Sequence, residues 1–342
     1  MTAKEIKIAP QQKILLAHGS GGRLTHKLIR DVFLKSLNNP ILSELSDSAK
    51  IDYKEKIAFT TDSFVVSPLF FPGGDIGKLS VCGTINDLVM VGAVPEYLSL
   101  GLIIEEGLDR EVLEKIINSI SLHAKRAGVV IVTGDTKVVE NGAADKVFIN
   151  TSGVGRIINK GISINNIKCG DKIILTGNIA EHGLAVLTKR KDLDLGLSIK
   201  SDCAALNNLI VPLLRRTKAI KFMRDPTRGG IATTLNEITE SSGLGIIIEE
   251  KNIPITSKVR VVSELLGIDP LYIANEGIAI MIVGKDSAKG VLNFLRRHPL
   301  GCHAQIVGEV VKQPKGRVIL KTTLGTERIV DMLTAESLPR IC

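Results

Sequence analysis

Isolated carboxylates recur along the first half of the chain in settings that suit metal and phosphate chemistry. Asp47 opens Asp47-Ser48-Ala49, and Asp62 lies in Thr61-Asp62-Ser63 after an apolar run from Lys56. Asp87 follows Asn86, and Asp135 lies in Gly134-Asp135-Thr136-Lys137 after the run Val129–Val132. Hard carboxylate oxygens offered singly from separate elements are what Mg2+ takes when nucleotide phosphates and water complete its shell. Any one of them alone reads equally well as a cap or turn residue; four in one half-chain, joined by glycine-rich loops, favour the metal reading. Lys137 is either a surface lysine or a cation beside a transferring phosphoryl group. Gly19-Ser20-Gly21-Gly22 opens a helix predicted over 24–37, so its backbone N–H groups suit phosphate, and a flexible lid explains the glycines as well. The segment Arg224-Asp225-Pro226-Thr227-Arg228-Gly229-Gly230 is a second anion-ready helix start, which ordinary helix-start preferences also explain. Glu276, next to Gly277 and before the apolar run Ile278–Val283, stands at a strand edge. The chain closes on Leu338-Pro339-Arg340-Ile341-Cys342, a thiol on the final residue. Pro339 favours extended geometry there, and the segment from Asp331 spans at most ~35–40 Å, so an arm is expected that loads its thiol at one place and presents it at another. Considered alone, the same ending reads as a frayed terminus with an incidental cysteine.

The elements that must position these groups follow from composition and periodicity. The 342 residues suit two domains, each with its own core. A hydrophobic content of 44% with 32 Gly and 12 Pro indicates a turn-rich α/β protein, and aromatics at 3% leave the core to Ile, Val and Leu. No apolar run is long enough to span a membrane and no leader pattern opens the chain, so a cytoplasmic protein is expected. Five scattered cysteines argue against a disulfide framework or structural zinc, with Cys82 expected in the core. The +8 charge falls in short clusters without interleaved aromatics, which argues against a nucleic-acid reader. Strands are predicted over 56–61, 129–132, 146–151, 171–175 and 245–249, with a closing hairpin over 316–331. Helices are predicted over 77–90, 180–188, 204–217, 231–241, 259–266 and 287–297. The polar stretch 159–170 makes the boundary. The expected division is 1–158 for nucleotide binding and dimerisation, 159–331 for an α/β domain, and 332–342 for a flexible tail.

Taken in order, His18-Gly19-Ser20-Gly21-Gly22, Thr61-Asp62-Ser63, Asn86-Asp87 with Gly92-Ala93-Val94-Pro95, Gly134-Asp135-Thr136-Lys137, Asp225-Pro226-Thr227-Arg228-Gly229-Gly230 and Asn275-Glu276-Gly277 resemble the aminoimidazole-ribotide synthetase and selenophosphate synthetase superfamily. The ending Pro339-Arg340-Ile341-Cys342 resembles the branch that serves nickel–iron hydrogenase maturation. Ala335 departs from the glycine expected in that tail.

The resemblance implies a two-domain fold whose N-terminal half contributes to a β-barrel-like homodimer core. It also implies ATP with Mg2+ in a carboxylate-lined cleft, and ATP-dependent dehydration of an S-carbamoyl group on Cys342 to S-cyanide. HypF is the implied carbamoyl donor and a HypC–HypD complex the acceptor of cyanide. Carried over residue by residue, Asp47, Asp62, Asp87 and Asp135 hold metal. Ser20, Gly21, Gly22, Asn86, Thr136 and Asp225 meet the nucleotide, Glu276 is the base, and Lys137 stabilises charge on the transferring group. Selenophosphate synthetase is the rival enzyme, disfavoured because no cysteine precedes Cys82. A non-catalytic maturation scaffold is the rival of another class.

Overall fold

The computed structural model describes residues 13–18, 23–44, 53–191, 197–333 and 340–341. Ser20, Gly21, Gly22, Asp47 and Cys342 lie outside the described residues. A broken helix opens the described chain: α1 (Arg23–Leu28), a wide π-type turn over Ile29–Leu34, and α2 (Lys35–Leu37). Strand β1 (Ile57–Phe64) and a small hairpin, β2 (Phe70–Phe71) with β3 (Gly74–Asp75), lead to α3 (Ile76–Met90). Then come β4 (Ala93–Glu105), α4 (Arg110–Ala127), β5 (Val130–Val139) and β6 (Val147–Ile157). The sheet order is β1-β6-β4-β5, with β4 and β5 parallel across α4 and the other pairs antiparallel.

Helix α3 is the centre of this half. All of its residues except Lys78 and Asp87 are buried, and a helix apolar on every side must be enclosed on every side. Small residues permit the enclosure: a Cβ on Gly77 would lie 2.6 Å from the Ile116 carbonyl oxygen, and one on Gly83 would lie 3.0 Å from the Phe64 ring. Asp75 caps the helix, its carboxylate accepting from the N–H groups of Gly77 and Lys78 at 2.8 and 3.0 Å. Strand β1 alternates, with Thr60, Asp62 and Phe64 toward α3 and Ile57, Phe59 and Thr61 on the other face. That other face is open: Phe59 is 68% exposed, and Ile57 and Ile103 are exposed with it.

The second half holds β7 (Lys172–Leu175), α5 (Glu181–Arg190), α6 (Asn207–Arg216), β8 (Ile220–Arg224), α7 (Gly230–Ser242), β9 (Gly245–Glu249), α8 (Ser257–Leu266), β10 (Ile280–Val283), α9 (Ala288–Leu295), β11 (Gln305–Val311), β12 (Val318–Lys321) and β13 (Glu327–Val330). They form a sheet of order β13-β12-β9-β11-β7-β10-β8, parallel only between β9 and β12. Side-chain alternation splits it. Ile173, Leu175, Ile280 and Ile282 pack with α5, α7 and α8, while Ile174, Met281 and Val283 join α6, α9 and the core of the first half. Two cores result: one is confined to the second half, and the other crosses the middle of the chain.

Three further expectations change. Strands β1 and β5 do not stop before Asp62 and Asp135; both carboxylates stand inside strands, because Thr151 and Gly101 continue the ladders opposite them. Helix α6 begins at Asn207 rather than 204, since the chain before it runs irregularly against Asn86 and Glu276. The end of the tail is not a free arm: Ile341 is 3% exposed and belongs to the first core, its apolar side chain withdrawn from water. Among the described residues no helix is long and apolar enough to cross a membrane.

Candidate active site

Asp87 is a buried helix's only acidic side chain, one turn from the end of α3. Its carboxylate accepts from the Thr60 hydroxyl of β1 at 2.8 Å. Asp62, two residues along the same strand and on the same face, accepts from the Ser63 N–H at 2.8 Å and faces the Arg228 guanidinium at 4.0 Å. Burial raises both carboxyl groups above their ordinary range; the charge of Asp87 raises Asp62 further, and Arg224 and Arg228 pull Asp87 back. Strand β8 delivers Asp225 to the same place. Burial pushes it up to about 7, with Asp87 and Asp62 adding to the effect.

Glu276 completes the group from the loop before β10. It is 3% exposed, and burial raises it well above the carboxylate range, with the charges of Asp225, Asp202 and Asp62 adding to the shift. Its backbone is braced from two sides. The Asp202 carboxylate accepts from the N–H groups of Glu276 at 3.2 Å and Gly277 at 3.0 Å. The Asn86 amide donates to the Ala204 and Glu276 carbonyls at 3.1 and 3.3 Å, while its oxygen accepts from the Leu206 N–H at 2.8 Å. Asn86, expected against the nucleotide, thus has its amide engaged in holding the Glu276 loop. Asp202 was not foreseen: it has no motif around it, and its role arises from the loop that crosses between the two halves. Burial pushes it up to about 7.

The chain does not gather all the expected residues. Directly opposed residues share a sheet face, and the row Ser63, Asn150, Gly101, Asp135 runs from β1 to β5. Asp135 and Lys137 therefore lie on the open face and Asp62 on the α3 face, at opposite edges of the sheet, three strand spacings or ~14 Å apart. Both Asp135 and Lys137 are exposed; Thr136 alternates to the opposite face from Asp135.

Asp62, Asp87 and Asp225 form a group of like charges, opposed by Arg224 and Arg228, that a hard cation would relieve. Among the described residues no three such groups converge closely enough to hold an ion alone. Helix α7 begins beside them at Gly229 and Gly230, both at positive φ, with no side chain capping its first N–H groups. A Cβ on Gly230 would lie 2.5 Å from the Leu271 carbonyl oxygen, so only glycine lets the helix start there.

The chain is similar to known proteins over most of its length. Residues 45–157 match the N-terminal domain of AIR synthase related proteins and residues 168–321 match the C-terminal domain. The carbamoyl dehydratase HypE of Cupriavidus necator is 46% identical over 334 residues, covering 96% of this chain and 95% of that protein. A crystal structure of the hydrogenase maturation protein HypE in complex with ATP superposes with a TM-score of 0.93 at 46% identity, covering 96% of this chain and 99% of that one. The chain in a HypE–HypF complex superposes at 0.79 with 47% identity, over 90% of this chain and 99% of that one.

Proposed function

The chain belongs to the AIR-synthase-related family, among the HypE carbamoyl dehydratases, and from that premise we propose that it converts an S-carbamoyl group on Cys342 to S-cyanide with ATP, for the cyanide ligands of nickel–iron hydrogenase. One observation carries the reading on this chain's own residues. The two residues before Cys342, Arg340 and Ile341, are seated against the structure that braces Glu276, so the residue bearing the thiol is one peptide bond from a held position.

A carboxamide oxygen leaves poorly. Transfer of the γ-phosphoryl group to that oxygen breaks the bond to ADP and, as the first amide proton leaves to solvent, forms an imidate phosphate. Loss of phosphate then breaks the C–O bond, and removal of the remaining N–H proton leaves the nitrile. Glu276 is the base for that proton: its raised affinity for protons makes it a stronger base once ionised than an exposed glutamate. Asp62 and Asp87, with Asp47, Asp135 and Asp225, hold Mg2+ and the triphosphate. Mg2+, when bound, supplies neutralisation of phosphate charge. Ser20, Gly21 and Gly22 close over the phosphates, with Thr136 at the nucleotide, and Lys137 stabilises the transferring group.

The working assembly is a homodimer in the cytoplasm. Its nucleotide and dimer domain spans 1–158, its α/β domain 159–331 and its tail 332–342. The open sheet face with Phe59, Ile57 and Ile103 supports the dimer, since patches of this kind mark interfaces. HypF loads the thiol and a HypC–HypD complex takes the cyanide.

Asp87→Asn tests the reading. Incubated with HypF, carbamoyl phosphate and ATP, the wild-type C-terminal peptide should gain a carbamoyl mass and then lose one water. The variant should gain the first and keep it. Loss of water in the variant at the wild-type rate removes the metal role of Asp87. A wild-type peptide that never loses water removes the reaction itself.

A further inference from the structure

His182 is wholly buried in α5, and neither of its ring nitrogens is idle. Nε2 lies 3.0 Å from the Ile341 carbonyl oxygen, which can only accept, so Nε2 carries the proton. Nδ1 is then the acceptor for the Ser201 hydroxyl at 2.8 Å, and the Ser201 oxygen itself accepts from the Cys203 N–H at 3.0 Å. Burial lowers the imidazole to about 4, which keeps this neutral tautomer in place at neutral pH. The Phe71 ring meets the imidazole edge-on at 5.4 Å and fixes its plane.

Around this contact the last residues are held at several more points. The Arg340 guanidinium donates to the Val65 carbonyl at 3.2 Å and pairs with Asp145 at 2.7 Å. The Arg340 carbonyl accepts from Ser67 N–H at 3.3 Å and from the Arg190 guanidinium. Arg340 sits at φ +57°, a conformation that a non-glycine residue holds only where its surroundings impose it.

We propose that His182 is a positioning residue for the dehydration: it clasps the carbonyl joined to the Cys342 nitrogen, with Asp145 and Arg190 reading Arg340, and so sets where the terminal thiol stands. The proposal rests on the reaction proposed at Cys342 and deepens it. Its reach to the chemistry runs through three consecutive residues. Ser201 orients the imidazole, Asp202 holds the Glu276 and Gly277 N–H groups, and Cys203 lies beside Cys82 within the field of Glu276. A seated tail and a correctly placed base therefore depend on one short segment. Arg340 and Ile341 are, on this account, the recognition elements of the tail: a charge for Asp145 and an apolar anchor for the core.

The test uses the full chain and needs no reaction for its first readout. Alkylation of Cys342 by iodoacetamide, followed on the C-terminal peptide by mass spectrometry, reports a change in how firmly the residue after Ile341 is held. His182→Ala and Asp145→Ala should each raise the labelling rate at least about threefold, a shift expected of local opening. His182→Gln, which keeps an N–H donor, should fall back toward wild type. Dehydration per carbamoylated chain should drop in the two alanine variants while KM for ATP and loading by HypF hold. Asp145 lies at the surface, so its variant decides the matter should His182→Ala fail to fold. Labelling at the wild-type rate in Asp145→Ala, with no slowing of dehydration, overturns the clasp. Faster labelling in a protein whose wild type never dehydrates would uphold the clasp and overturn the reaction instead.

Discussion

At the residue scale the site is a set of carboxylates held where each makes the next harder to ionise. Glu276 shows it most strongly, because burial and three neighbouring carboxylates act in the same direction. Its ionised fraction rises with pH, so the dehydration rate should climb as pH passes its raised pKa. Glu276→Gln should remove that slope and lower the rate by about 10²–10⁴-fold while leaving carbamoyl loading intact. Single-turnover rates measured against pH check this. A second consequence concerns stability. Asp225 binds its proton more tightly folded (about 7) than unfolded (3.8), so the stability linked to it is full at low pH and is lost as pH rises between those values. Asp225→Asn should therefore stabilise the nucleotide-free protein by about 1–3 kcal/mol at pH 8 and have little effect at pH 4, read by denaturant unfolding. Asp62, Asp87, Asp225 and Glu276 were legible as candidates because each stands in a short motif with Thr, Asn, Pro or Gly. Asp202 and His182 were not, since a lone buried polar residue has no pattern until its partners are known.

At the element scale, one helix start and one loop decide the arrangement. Asp75 caps α3 through two N–H groups and also accepts from the Ser119 hydroxyl at 2.7 Å, tying α3 to α4. Asp75→Ala should cost about 1–2 kcal/mol of stability in urea titration, with activity per folded molecule preserved. Gly277 differs in kind. A Cβ there would lie 1.8 Å from the Asp202 carbonyl oxygen, so Gly277→Ala must displace the loop that carries Glu276. Its dehydration rate should fall nearly as far as that of Glu276→Gln, with ATP affinity retained, as isothermal titration would show. The extent of α3 and β9 could be read from their runs of small and apolar residues. The full lengths of β1 and β5 could not, because Gly134 and Asp135 break an apolar run that the neighbouring strand nevertheless continues by hydrogen bonding.

For the whole molecule, the sheet's two faces divide the proposed site. Asp135 and Lys137 stand on the open face at one edge, Asp62 and Asp87 beneath the other, too far apart for one ion within one chain. If the homodimer completes the site, mixing inactive Asp62→Asn and Asp135→Asn chains should restore about a quarter of wild-type sites, the statistical share of intact cross-chain pairs. No recovery after subunit exchange would show that the two residues serve separate purposes. Phe59→Glu should split the proposed dimer in light scattering, because it places a charge on the exposed apolar face.

By itself the sequence determined the chemistry: which residue types are present, their motif order, and a thiol on the last residue. These are local facts, written in spacing and in the conformational limits of Gly and Pro. Only the tertiary structure decided which of those residues meet. Strand register separates Asp135 from Asp62, a crossing loop makes Asp202 and Asn86 braces for Glu276, and burial seats Ile341 against His182. Each of these depends on contacts between segments far apart in the chain, where pairing and enclosure rather than neighbouring residues set the outcome.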